Sequence, residues 1–170
     1  MQANSKLTPG WHNQDLIYLA IVVSEFNNEI TFKMLEGARD HAADVSAEVS
    51  YILYVPGTFD MPLAVERLLR KKNVDAVVTL GAVIKGDTRH DDIVAENAAR
   101  LIADLSLKYG KPVTLGVAGP GMTIEQARTR AKLVPTRAVN AAVNMVLRLR
   151  KLQKVVGGGI VIINDTTDNN

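Results

Sequence analysis

Three short stretches of this chain, residues 16–23 (LIYLAIVV), 75–81 (DAVVTLG) and 112–117 (PVTLGV), are nearly continuous apolar runs rich in β-branched residues. A strand with one wet face would alternate apolar and polar residues, whereas these runs read as strands covered on both faces. Between them, apolar residues recur every three or four positions: Met34, Leu35, Ala38 and Ala42; Met61, Ala64, Val65, Leu68 and Leu69; Val94, Ala98, Leu101, Ile102 and Leu105. That spacing places one apolar stripe on each of three helices. With residues 48–55 as a further strand, the order is βαβαβαβ, followed by helical segments over 123–132 and 135–151. The pattern predicts an α/β fold: a three-layer sandwich with a mainly parallel four-stranded sheet and helices on both faces.

At 170 residues and 47% hydrophobic content, the chain suits one domain, expected over residues 14–151. Residues 1–13 read as a polar N-terminal arm without the basic flank and apolar core of a secretory signal. Residues 152–170 lack a helical period and end in Asn, Asp and Thr, so they read as a mobile tail. No apolar run approaches the roughly 20 residues that span a bilayer, and a soluble protein without a membrane partner is expected. The net charge of +2, with both signs interspersed, shows no basic face for nucleic acid. The absence of cysteine excludes disulfides, thiolate metal sites and cysteine nucleophiles, and fits a reducing cytoplasm. There is no GxGxxG, no GxxxxGK and no metal-ligand cluster, which disfavours nucleotide and metal cofactors.

Ligands of parallel sheets bind beyond the carboxyl ends of the strands, in the loops that enter helices. Four loops are expected to open there: 24–29, 56–60, 82–90 and 118–122. In the third, Gly86 permits close backbone approach, Thr88 offers a hydroxyl, and the next helix offers free N–H groups, which outlines an anion site. Taken alone, the stretch reads better as a cap, since Asp87, Thr88 and Asp91 all suit one and the three carboxylates of Asp87, Asp91 and Asp92 oppose an anion. His90 is the one histidine at a strand-to-helix edge; it reads equally as a proton shuttle and as a solvated loop residue. His12, in the arm, and His41, beside Asp40 on a helix, are expected to face solvent. Phe26, flanked by polar residues, suits stacking on a flat heterocycle, while Phe59 is expected to fold inward. Asp60 suits either a polyol ligand or the cap of the helix that Pro62 begins. Arg128, Arg130, Lys132 and Arg137 form a cationic cluster from which one arginine could grip a phosphate, though most such charges are a solvated face.

Together, Phe26-Asn27, VPGTFDMP at 55–62, GAVIKGDTRH at 81–90, and IEQA at 124–127 with Arg130 resemble the 6,7-dimethyl-8-ribityllumazine synthase family. The resemblance spans about residues 16–151, and GPGMT at 119–123 gives it an archaeal character. It implies a flavodoxin-like fold and the joining of 5-amino-6-ribitylaminouracil to 3,4-dihydroxy-2-butanone 4-phosphate, without metal or redox cofactor. By the same resemblance Phe26, beside Asn27, stacks on the pyrimidine, and the backbone around Ala82, Val83 and Ile84 pairs with its edge. Thr58 and Asp60, in the loop with Gly57 and Phe59, meet the ribityl chain. Gly86, Asp87 and Thr88 line the phosphate site, and His90 is the catalytic proton shuttle. Arg130 neutralises the phosphate from a neighbouring subunit, and Arg137 matches a lysine near the ligand in bacterial relatives. Leu115 stands where bacterial relatives place an aromatic of the adjacent subunit. A homo-oligomer is implied, a pentamer or a 60-subunit shell of pentamers. The competing readings are an archaeal-type riboflavin synthase and a non-catalytic shell-forming or ligand-carrying relative.

Overall fold

The computed structural model describes residues 16–164, and the expected N-terminal arm and the last six residues lie outside the described residues. Four strands, β1 (Ile17–Ser24), β2 (Ala47–Val55), β3 (Ala76–Ile84) and β4 (Val113–Met122), form one sheet in the order β2-β1-β3-β4. All three pairings are parallel, and the predicted three-layer architecture is the one observed. The helices are α1 (Asn28–Asp44), α2 (Met61–Leu69), α3 (His90–Tyr109), α4 (Ile124–Arg130) and α5 (Leu133–Lys154), and a 3-10 turn spans Thr58–Asp60.

The continuous apolar runs behave as their composition requires. Leu19, Ile21 and Val23 of β1, with Val78 and Leu80 of β3, enter the cluster that α1, α4 and α5 cover. Ala20 and Val22, with Val77, enter the cluster beneath α2 and α3 on the opposite face. The two central strands are therefore buried on both sides. At about 1.5–3 kcal/mol for each fully buried large aliphatic side chain, these strands anchor the fold.

The strands outrun the sequence reading at their carboxyl ends. β3 continues three residues past Gly81, and β4 continues five past Val117 in spite of Gly119, Pro120 and Gly121. Each extension satisfies the other: Gly81 pairs with Val117, Ile84 pairs with Met122, and the Lys85 N–H donates to the Met122 carbonyl at 2.8 Å. The register shift between Ala82 and Ile84 absorbs the glycine-rich stretch as a bulge. Gly119 cannot be replaced there, because it sits at φ +109° and a Cβ would come within 2.0 Å of the Val83 carbonyl oxygen.

Helix α5 runs to Lys154, so its first three supposed tail residues are helical. The guanidinium of Arg150, paired with Asp75 at 3.0 Å and approaching the Leu16 carbonyl, fastens that last turn to the amino ends of β1 and β3. Residues 155–164 have no regular structure, and Val156 and Ile160 are 95% exposed.

Candidate active site

Strand order reverses between β1 and β3, since the chain leaves β1 toward β2 on one side and reaches β3 on the other. The loops leaving those strands therefore diverge to opposite faces and open a crevice at the carboxyl edge. A cavity of about 360 Å³ lies there, walled by Phe26 and Asn27 after β1, residues 57–59 after β2, and β3 with its loop as far as His90.

Backbone and amide bonds set its rim. The N–H groups of Glu25 and Phe26 donate to the carbonyls of Val55 and Pro56 at 2.8 and 3.1 Å, which ties the first loop to the second. Asn27, in the left-handed region at φ 59°, opens α1 with its carbonyl accepting from Ile30 and Thr31. Its side-chain amide is then available to donate to the Ala82 carbonyl at 2.7 Å, which ties the first loop to the third. Thr58 sits against Gly81, where a Cβ would meet its hydroxyl oxygen at 2.7 Å, so the 3-10 turn packs directly onto β3.

Phe26 is 70% exposed and faces the cavity, as expected for a stacking surface. Phe59, expected to fold inward, is instead 56% exposed and lines the same cavity. The 3-10 turn that starts at Thr58 fills the inward position with Thr58 itself, 5% exposed, and turns the next side chain outward. Asp60 does not line the cavity; its carboxylate accepts from the Gly57 N–H at 2.9 Å, so it caps the turn.

The cap expected from Asp87, Thr88 and Asp91 does not form. The N-cap of α3 is Arg89 without a side-chain cap bond, because Asp91 has turned its carboxylate to the Gly121 N–H at 3.2 Å. Thr88 and His90 line the cavity, whereas Asp87 borders an adjoining depression with Lys85, Arg89 and Gly121. The free N–H groups of an uncapped helix start and Lys85 favour an anion there, while the carboxylates of Asp87, Asp91 and Asp92 border the same depression and oppose one, and Arg89 is paired with Asp92 at 3.3 Å.

Three of the four expected loops converge on the cavity, and the fourth does not. Its residues belong to β4, and Gly121 reaches only the adjoining depression. Leu115 is 51% exposed on β4 and lies outside the cavity, as do the exposed Arg130 and Arg137. Arg130 rests its guanidinium on the Met122 sulfur at 3.2 Å, while Arg128 pairs with Glu29 at 2.6 Å. His41 corrects the expectation of a solvated histidine, since its Nε2 meets Asn140 Oδ1 at 2.7 Å between α1 and α5. The site residues that sequence reasoning left without a site role are Asp91 and Val94. Val94 follows His90 by one helical turn, so the i, i+4 rule places both on one face.

The cavity thus lies at the switch point of a flavodoxin-like parallel sheet, where such folds bind their ligands, and two aromatics, Phe26 and Phe59, line it together with His90. Residues 17–150 match the family model of 6,7-dimethyl-8-ribityllumazine synthase. The chain is 56% identical over 138 residues to the 6,7-dimethyl-8-ribityllumazine synthase of Methanococcus maripaludis (strain C7), covering 81% of this chain and all of that one. It is 55% identical over 139 residues to the protein of that name from Methanocaldococcus jannaschii, covering 82% and 98%. The counterpart from Saccharolobus islandicus (strain L.S.2.15) is 56% identical over 139 residues, covering 82% and 90%. The chain belongs to the 6,7-dimethyl-8-ribityllumazine synthase family.

Proposed function

We propose that this chain condenses 5-amino-6-(D-ribitylamino)uracil with 3,4-dihydroxy-2-butanone 4-phosphate to 6,7-dimethyl-8-ribityllumazine, releasing phosphate and water. The observation that carries the reading beyond family membership is that Phe26, Gly86, Thr88 and His90 all line one cavity. Phe26 stacks on the pyrimidine, and the β3 backbone at 82–84 pairs with its edge. Thr58 and Phe59 border the ribityl chain, with Gly57 and Asp60 shaping their turn. Gly86, Asp87 and Thr88 receive the phosphate against the start of α3.

The chemistry needs an imine between amine and ketone, departure of phosphate, and closure on the ribityl-bearing nitrogen. Each step moves a proton, and an imidazole, with one ring nitrogen to donate and one to accept, gives and takes one, which is the role of His90. Pairing the leaving phosphate with N–H donors and cations favours its departure. Holding two reactants in register supplies much of the rest.

Arg130, Arg137 and Leu115 lie away from the chain's own cavity, which supports a homo-oligomer in which each serves the site of a neighbouring copy. A ring of five, alone or as one face of a 60-subunit shell, fits head-to-tail contacts that close. The setting is the cytoplasm. Supplying both substrates and recording lumazine fluorescence together with free phosphate tests the reading, and stoichiometric appearance of both is expected. Turnover of lumazine into riboflavin instead would favour the riboflavin synthase alternative.

A further inference from the structure

We propose that Asp91 is a positioning residue, a brace that sets His90 and the Met122–Arg130 segment relative to each other. The inference rests on the reaction proposed above. Asp91 is 8% exposed although it stands in the first turn of a helix whose neighbours Arg89 and His90 are exposed. A carboxylate so placed needs hydrogen-bond donors to offset its lost hydration. Its donor is the Gly121 N–H, which belongs to another element thirty residues away. By contrast, the Arg89–Asp92 ion pair stays within the helix's own turn.

The two ends of this bond lead to the two halves of the chemistry. On one side, Asp91 is the chain neighbour of His90 in an uncapped first turn, so the bond holds that turn against fraying. On the other, Gly121 precedes Met122, whose carbonyl accepts from Lys85 and whose sulfur carries the Arg130 guanidinium. Asp91, with Gly86 and Thr88, also borders both the main cavity and the adjoining depression. It bears a charge of the wrong sign for an anion site, so its place there is explained by the hydrogen bond it makes, not by binding.

Asp91→Asn keeps an oxygen acceptor and removes the charge. Asp91→Glu keeps the charge and displaces the acceptor by a methylene, and Asp91→Ala removes the acceptor without adding bulk. The brace predicts that the asparagine variant retains kcat within about threefold, while the glutamate and alanine variants lose about tenfold or more, since misplacement of about 1 Å costs up to about 10²-fold. KM for the ribitylaminouracil, stacked on Phe26 in the reaction proposed above, should stay within about twofold. Hydrogen exchange of the Gly121 amide should quicken in the glutamate and alanine variants alone. Asparagine as damaging as glutamate would show that the charge is what matters and overturn the brace, as would full kcat in the alanine variant. If the wild-type chain does not turn over the two substrates, the reaction reading fails, and Gly121 exchange across the same variants still decides whether the brace exists.

Discussion

At the scale of single residues, Phe26 is a large aromatic left 70% exposed at the cavity, which the proposed reaction would use for stacking. Its backbone is tied to the loop after β2 by the Pro56 carbonyl, so little backbone ordering is left for stacking to cost. Stacking acts on ground and transition states alike, so Phe26→Leu is expected to weaken binding of a non-reactive ribitylaminouracil analogue by about two- to tenfold while kcat changes less. Calorimetry with the analogue, beside saturating turnover, checks both halves. Phe26 was legible because an aromatic among Glu25, Asn27 and Asn28 at a strand end has no core to enter. Phe59 was not, because only the 3-10 geometry of Thr58–Asp60 decides which of two adjacent side chains turns inward. His41 was misread for a similar reason: its partner, Asn140, comes from a helix ninety-nine residues further on.

At the scale of elements, the sequence disclosed every strand and helix but misplaced the ends that build the site. Hydrophobic period reports the middle of an element, where burial is decided by composition. The carboxyl ends of β3 and β4 are decided by pairing with each other, which no local pattern contains. At the opposite end of the layer formed by α2 and α3, a carboxylate joins the two helices. Glu66 of α2 accepts from Arg70 one turn on and from the Tyr109 hydroxyl, at 2.5 Å, at the end of α3. The Arg70 hydrogen bond first, then that from Tyr109, hold the Glu66 carboxyl down at about 2 from its ordinary 4.5. A depressed carboxyl stabilises the folded state fully above the unfolded value, and that contribution is lost as pH falls from 4.5 toward 2. The melting temperature of Glu66→Gln should therefore lie below wild type at neutral pH, with the gap narrowing through that acid window. A gap independent of pH would assign the loss to packing alone.

At the scale of the whole molecule, the cavity is lined by one histidine and by no arginine among the described residues, and the ring proposed above would bring Arg130 of a neighbouring chain to it. His90→Ala and Arg130→Ala are each expected to lower kcat, the former by about 10²-fold on the usual scale of acid–base effects. In a uniform ring every site then carries the defect. Co-refolded from a mixture of the two variants, some interfaces join an intact His90 to an intact Arg130 of the next chain, and turnover should exceed that of separately refolded controls. Mass spectrometry of the mixed rings completes the comparison, because mixed rings without recovery would mean that both residues serve a site within one subunit or that Arg130 is only structural. The proposal of a shared site rests, on the sequence side, only on family resemblance. Nothing in the local pattern around Arg130 distinguishes it from Arg128, which the fold spends on Glu29.

The fastening of α5 by Arg150 to the amino ends of β1 and β3 has a practical outcome for carrying foreign cargo. The cavity opens at the other end of the same strands, and the eight residues of β1 span roughly 25 Å at about 3.3 Å each. The Lys151 ammonium reaches the Asn164 carbonyl at 3.3 Å, so the stretch after the helix doubles back near its own root and does not advance toward the substrates. A fluorescent protein grafted after Lys154 would therefore hang from the face remote from catalysis. Such a chimera is expected to keep the wild-type KM for both substrates, and steady-state titration of each checks it. A raised KM in the chimera would mean that the graft reaches the reaction edge of its own or an adjoining chain.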